Sequence, residues 1–248
     1  MKSNIILLLV GIVLLLGCHQ HEADQSSTPH WNYEHPDWQN EGFPDCGGKV
    51  ESPINIDPLT TVKAHLSNLT FIYTPFNFKI VNTGHTIQII NTNNTNKLII
   101  NNIAYNFTQL HFHHISEHTI NGINTDMELH LVHQDSNNNL LVLSVMLKKG
   151  APSSSIENIW AHIPPVIGQE IETSILLDLD KLIPVNKKYY TYKGSLTTPP
   201  CTAGVNWIIF KEPMPISQKQ IEKFTKEYEN NARPIQPLNN RIVLQEID

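Results

Sequence analysis

The chain reads as a single mainly β (α+β) domain, built on a large, mostly antiparallel twisted sheet with a few short peripheral helices. Three observations predict this. Between Leu69 and Leu147 short runs of alternating apolar residues follow one another, the period of half-buried strands. The breaks between them are rich in asparagine, which tolerates the left-handed backbone of tight turns. Helical periodicity is confined to two short stretches, and neither an internal repeat nor a domain linker is evident beyond the N-terminal region.

Taken in order, the strand candidates are LTFIY from Leu69, FKIVN from Phe78, HTIQIIN from His85, KLII from Lys97, TQLHFHH from Thr108, MELHLVH from Met127 and LLVLSVML from Leu140. Asn91–Asn96 and Asn137–Asn139 supply turns. Ser153–Ala161 is a short helix candidate. Ser217–Tyr228 is the clearer one: Ser217 and Gln220 form a capping box, and Ile221, Phe224 and Tyr228 make one apolar stripe. From His30 to Gly48 the chain is aromatic and loop-like, with Trp31, Tyr33 and Trp38 expected over the core.

With 248 residues, 40% of them hydrophobic, the chain can bury one sizeable core. The formal charge is −6 and no basic run occurs, which argues against a nucleic-acid partner. Residues 1–17 have the form of a signal peptide: Lys2 precedes an apolar run from Ile5 to Leu16, too short to span a bilayer. Leu15-Leu16-Gly17-Cys18 resembles a bacterial lipobox. That reading makes Cys18 the lipidated first residue, residues 18–29 a flexible tether, and residues 30–248 the domain. The protein is then exported to the periplasm or cell surface and held on a bacterial membrane by its lipid. Ordinary cleavage that discards Cys18 is the alternative.

The chemistry concentrates between Gln109 and His133. Side chains two apart on a strand share a face, so His111 and His113 project together, with Gln109 beside them. On the next strand Glu128 and His130 share a face. If the two strands are neighbours, three imidazoles converge, and three neutral nitrogen ligands leave zinc one open position. Gln109 and Glu128 are placed to accept the other N–H of a ligating ring. A lone histidine in a strand is ordinarily structural; HxH followed by ExH, each with an acceptor at hand, points to a metal. His114 and His133 fall on the opposite faces, and His118 reads as a buried hydrogen-bonding residue.

QLHFHHISEHT, MELHLVH, SLTTPPC, the upstream ESPINI and the late NARPIQPLNNR, in that order, resemble the alpha-class carbonic anhydrases of the bacterial secreted type, over nearly the whole mature chain. The resemblance implies Zn2+ on His111, His113 and His130, and reversible hydration of CO2 to bicarbonate by a zinc-held hydroxide. It implies that Thr197 donates to Glu117 and orients the nucleophile, and that Thr198 contacts bicarbonate. His85 takes the proton-shuttle position, Tyr33 orders water near the metal, and Val132, Val142, Leu196 and Trp207 form the apolar wall for CO2. It also implies a disulfide between Cys46 and Cys201, the even pair left in an oxidising compartment, with two free buried cysteines as the alternative. It admits a homodimer. The chain departs from the family pattern at Glu51, where glutamine is usual before Ser-Pro-Ile, at Thr125, at His114-Ile115 and at Ala232. An adhesive or glycan-binding surface protein of the same fold, and a zinc esterase, are the rival readings.

Overall fold

The computed structural model describes residues 30–247; the signal segment, Cys18 and the tether lie outside them. Among the described residues a 13-stranded sheet dominates. Its central path runs, by strand, Glu170–Leu177, Phe76–Asn82, Ile87–Asn91, Ile103–His113, Met127–Gln134, Leu140–Lys149, Ala203–Phe210, Tyr189–Ser195, Leu244–Glu246 and Val62–Ala64.

The two strands that carry the histidines lie at the middle of this path, where both faces are covered. Met127–Gln134 has seven consecutive buried residues, and Leu140–Lys149 is buried over its next seven after Leu140. Both pairings of Met127–Gln134, with Ile103–His113 and with Leu140–Lys149, are antiparallel. The sheet is mostly antiparallel, as expected, with some parallel pairs. Leu140–Lys149 runs parallel to Ala203–Phe210 and to Met214–Ile216, and Leu244–Glu246 runs parallel to Val62–Ala64. Each parallel pair joins segments far apart in sequence, which a local hydrophobic pattern does not encode.

The turns follow the asparagines. Asn101 and Asn102 have φ of 52° and 62° and close the hairpin into Ile103–His113, and Asn138 has φ 65° in the next turn. The strand expected from His85 begins at Ile87, leaving His85 in the preceding loop. Helix α1 spans Ser154–Trp160 and is capped by Ser153. Helix α2 spans Gln218–Thr225 with the complete capping box of Ser217 and Gln220. It stops three residues earlier than its apolar stripe, so Tyr228 packs on Phe224 from the following turn, their rings 5.0 Å apart.

The larger core cluster holds Phe112, Leu129, Leu143, Trp160 and Phe224 on one face of the sheet. A smaller one holds Val132, Val142, Tyr192, Trp207 and Ile209. Fully burying each of these side chains contributes about 1.5–3 kcal/mol. Trp38, Cys46 and Cys201 form a third cluster, with Trp31 and Tyr33 against it. The Cys46–Cys201 disulfide is formed, with an S–S distance of 2.02 Å across 155 residues of sequence.

Candidate metal centre

His111 and His130 are directly opposite in the register of adjacent strands. Strand pleating then puts His113, two residues on, over the same face. Nitrogens of His111, His113 and His130 all lie within 4.8 Å of one another. Each ring is held from outside. His111 Nδ1 donates to Gln109 Oε1 at 2.8 Å, His113 Nδ1 to the Asn231 carbonyl at 2.7 Å and His130 Nε2 to Glu128 Oε1 at 2.7 Å. A neutral imidazole with one N–H committed has a lone pair on its other nitrogen. The inward atoms are therefore His111 Nε2, His113 Nε2 and His130 Nδ1, all acceptors.

This donor set fits a zinc-type cation. His130 Nδ1 and His111 Nε2 approach to 3.3 Å, which for two lone pairs is no hydrogen bond but a shared aim. His113 Nε2 is buried without a partner, a costly arrangement unless something positive binds it. Burial lowers all three rings: His113 to about 4, His111 well below the usual histidine range, and His130 more modestly because Glu128 opposes the shift. The neutral, ligating form is thus the stable one near neutral pH.

Glu128 carries the support further back. Its Oε1 also accepts from His118 Nδ1 at 2.8 Å and from Ser144 Oγ at 2.6 Å, and its Oε2 accepts from the His118 amide at 2.8 Å. His118 Nε2 meets Tyr192 OH at 2.7 Å. His118 is the buried hydrogen-bonding residue expected of it. His133, on the opposite face, is bonded to the Leu131 carbonyl and to Tyr73 OH, and His114 Nδ1 reaches the Glu229 carbonyl; neither joins the cluster.

Glu117 Oε1 accepts the Arg233 amide at 2.9 Å, while Oε2 points inward, 3.5 Å from His113 Nε2 and 3.9 Å from His130 Nδ1. Burial pushes this carboxyl up to about 7, against the pull of His130, the Arg233 amide and the Thr197 hydroxyl. The Thr197 hydroxyl stands close enough to lower Glu117, yet Oε2 completes no hydrogen bond of good geometry. A cation beside it would favour the charged carboxylate.

A cavity of about 200 Å3 opens over the histidines, lined among others by Trp31, Tyr33, His85, Gln109, His111 and Thr198. His85 is half-buried and stacks on Trp31, ring centroids 3.9 Å apart and 12° from parallel, with His30 at 6.4 Å and Tyr33 at 6.2 Å. Burial, then His30, lowers its pKa. Val132, Val142 and Trp207 share one cluster with Leu196 packed on it, the Trp207 ring 4.9 Å from His130. They lie beside the histidine cluster and outside that cavity's lining. Thr125, a departure from the family pattern, is absorbed locally: its hydroxyl donates to the Met127 carbonyl and its amide to Ser116 Oγ.

Asn231 is the residue the sequence reading passed over. Besides holding His113, its side chain accepts the His114 amide and donates to the carbonyls of His85 and Phe112. A backbone acceptor 118 residues from its ring leaves no local signal; the NARP motif marked the place without the role.

Residues 33–247 match the family described as eukaryotic-type carbonic anhydrase. The chain is 38% identical over 247 residues to a carbonic anhydrase of Klebsiella pneumoniae, covering 98% of each. It is 40% identical to one of Neisseria gonorrhoeae, covering 94% of this chain and 95% of that protein. Among solved structures it resembles the alpha-carbonic anhydrase of Thermovibrio ammonificans in complex with the inhibitor sulfanilamide. The TM-score is 0.85 at 39% identity, over 88% of this chain and all of that one. Register, the geometry of the histidine cluster and these likenesses agree, and the chain belongs to the alpha-carbonic anhydrase family.

Proposed function

We propose that the protein is a zinc enzyme catalysing the reversible hydration of CO2 to bicarbonate and a proton, with His111, His113 and His130 as ligands. The supporting observation is the convergence of three inward lone pairs, each on a ring whose outer N–H is already bonded. Zinc held by three neutral histidines would supply a bound water whose pKa is lowered to about 7, the magnitude established for carbonic anhydrases.

The protein's own groups do the rest. Thr197 has one hydroxyl proton, and the Glu117 carboxylate can only accept. With that proton given to Glu117, the threonine oxygen is left as an acceptor. It orients a nucleophile that carries a proton and disfavours an anion that lacks one. Thr198, at the cavity wall, is the contact for bicarbonate. CO2 is apolar and dwells against Val132, Val142, Leu196 and Trp207 beside His130. His85 takes the proton outward, since its range lies nearest that of the acidified water, and Tyr33, at the same wall, orders the water between. The disulfide braces the Thr197–Thr198 segment through Cys201.

Metal content and CO2 hydration followed with a pH indicator test the reading. The parent is expected to hold one zinc and to be active, and His111→Ala to lose both properties. A zinc-replete parent that leaves CO2 untouched would overturn it, and would favour the esterase or the surface-protein reading.

A further inference from the structure

Glu51 is the departure from the family pattern that neither the metal ligands nor the cavity accounts for. It is buried, as are Arg233, Ser52 and Ser195. One oxygen, Glu51 Oε2, accepts from Arg233 Nη1 at 2.8 Å and from Ser195 Oγ at 3.2 Å, the serine sharing its single proton with the Leu196 carbonyl at 2.8 Å. The other lies against Gly48, where a Cβ would come within 2.8 Å of it.

The two donors lead to the two halves of one contact. Arg233 is pinned at its head, Nη1 also donating to the Ser52 carbonyl and Nη2 to the Cys46 carbonyl, both at 2.7 Å. Its backbone amide holds Glu117 Oε1 at 2.9 Å. Ser195 opens the segment that carries Thr197. Its amide donates to Ser52 Oγ at 3.1 Å, and its hydroxyl accepts the Ser52 amide at 3.0 Å. Glu117 and Thr197 come from separate loops, after Ile103–His113 and after Tyr189–Ser195, and a single carboxylate oxygen is tied to both through Arg233 and Ser195.

We infer that Glu51 is a positioning residue: its charge-assisted bonds to Arg233 and Ser195 set the separation of Glu117 and Thr197, and so the ability of the site to discriminate protonated from unprotonated occupants. The inference rests on the role proposed above for Thr197. Carboxylate–guanidinium bonds are shorter and stronger than those of a neutral amide. Glutamate therefore holds the pair more firmly than the glutamine usual in the family.

The experiment compares Glu51→Leu and Glu51→Gln with the parent, all zinc-loaded, by kcat and KM for CO2 and by inhibition with thiocyanate and with sulfanilamide. Thiocyanate has no proton for Thr197 to accept, whereas a sulfonamide nitrogen has one. Loosening the pair should strengthen thiocyanate and weaken sulfanilamide, shifting the ratio of their inhibition constants by about tenfold in Glu51→Leu, with kcat falling and KM little changed. General structural damage would weaken both inhibitors together. Glu51→Gln should shift the ratio about threefold in the same direction, and it decides the matter if Glu51→Leu does not fold. A parent ratio in folded, zinc-replete Glu51→Gln overturns the inference. A parent protein without zinc or hydration activity would instead sink the function proposed above, and this inference with it.

Discussion

His85 stacks on Trp31 in a loop whose backbone is held by Asn231, so its ring can be removed without disturbing a ligand. His85→Ala is expected to lower kcat by about a hundredfold in weak buffer and to regain much of it on addition of imidazole; a rate indifferent to buffer would refute the shuttle. His133 offers a separate test at the same scale. It is wholly buried, and burial depresses it to about 4 from 6.5, in spite of its bond to the Leu131 carbonyl. Between those values the unfolded chain binds a proton that the folded chain refuses. The neutral ring's contribution is complete above pH 6.5 and is lost as pH falls toward 4, costing about 3 kcal/mol in all. Urea unfolding at pH 7 and at pH 4.5 should show that loss much reduced in His133→Gln. The convergence of His111, His113 and His130 was legible in the sequence because HxH and ExH are strand-face patterns and each pattern carries its own acceptor. The Asn231 carbonyl and the meaning of Glu51 were not, since both depend on partners more than a hundred residues away.

Among the elements, the strand Tyr189–Ser195 carries the tightest constraint. At Gly194 a Cβ would fall 2.1 Å from Ser52 Oγ, 2.8 Å from Tyr192 Cε2 and 3.0 Å from Trp207 Cδ1. Ser52 and Tyr192 belong to the chain of bonds through His118 to Glu128, and Trp207 is held by its Nε1 bond to the Ser195 carbonyl, so none can move alone. Gly194→Ala should destabilise the protein by about 2–3 kcal/mol and weaken zinc retention in parallel, both measurable by chemical unfolding with and without chelator. An unfolding midpoint equal to the parent's would show that the strand can shift. Element types were readable from periodicity, and the capping box of α2 was placed correctly. The end of α2 was not, because an apolar stripe continues past Thr225 into a turn that buries Tyr228 equally well. The mostly antiparallel character of the sheet was readable as well; which pairs run parallel was not, because alternation reports which face is buried, not which neighbour runs alongside.

At the scale of the molecule, the disulfide fastens the aromatic N-terminal loop to the segment after Thr198. A cross-link over 155 residues restricts the unfolded chain enough to contribute about 5 kcal/mol on the chain-entropy view. Replacing both cysteines by serine should lower the unfolding free energy by several kcal/mol and reduce kcat through the loosened Thr197 segment. Unchanged stability would place the bridge outside the cooperative unit. The pairing was foreseen only through family resemblance, since two cysteines and a compartment argument leave both free thiols and a bridge open.

Asn231 binds, with one side chain and one carbonyl, the loop of His85, the C-terminal end of the strand Ile103–His113 and the ring of His113. The two strands that carry the three histidines are complete by Gln134, yet the His113 ring is set by a carbonyl far downstream. The paired strands alone therefore do not fix the cluster. Local unfolding confined to the segment around Asn231 would release that ring while leaving the sheet beneath it paired.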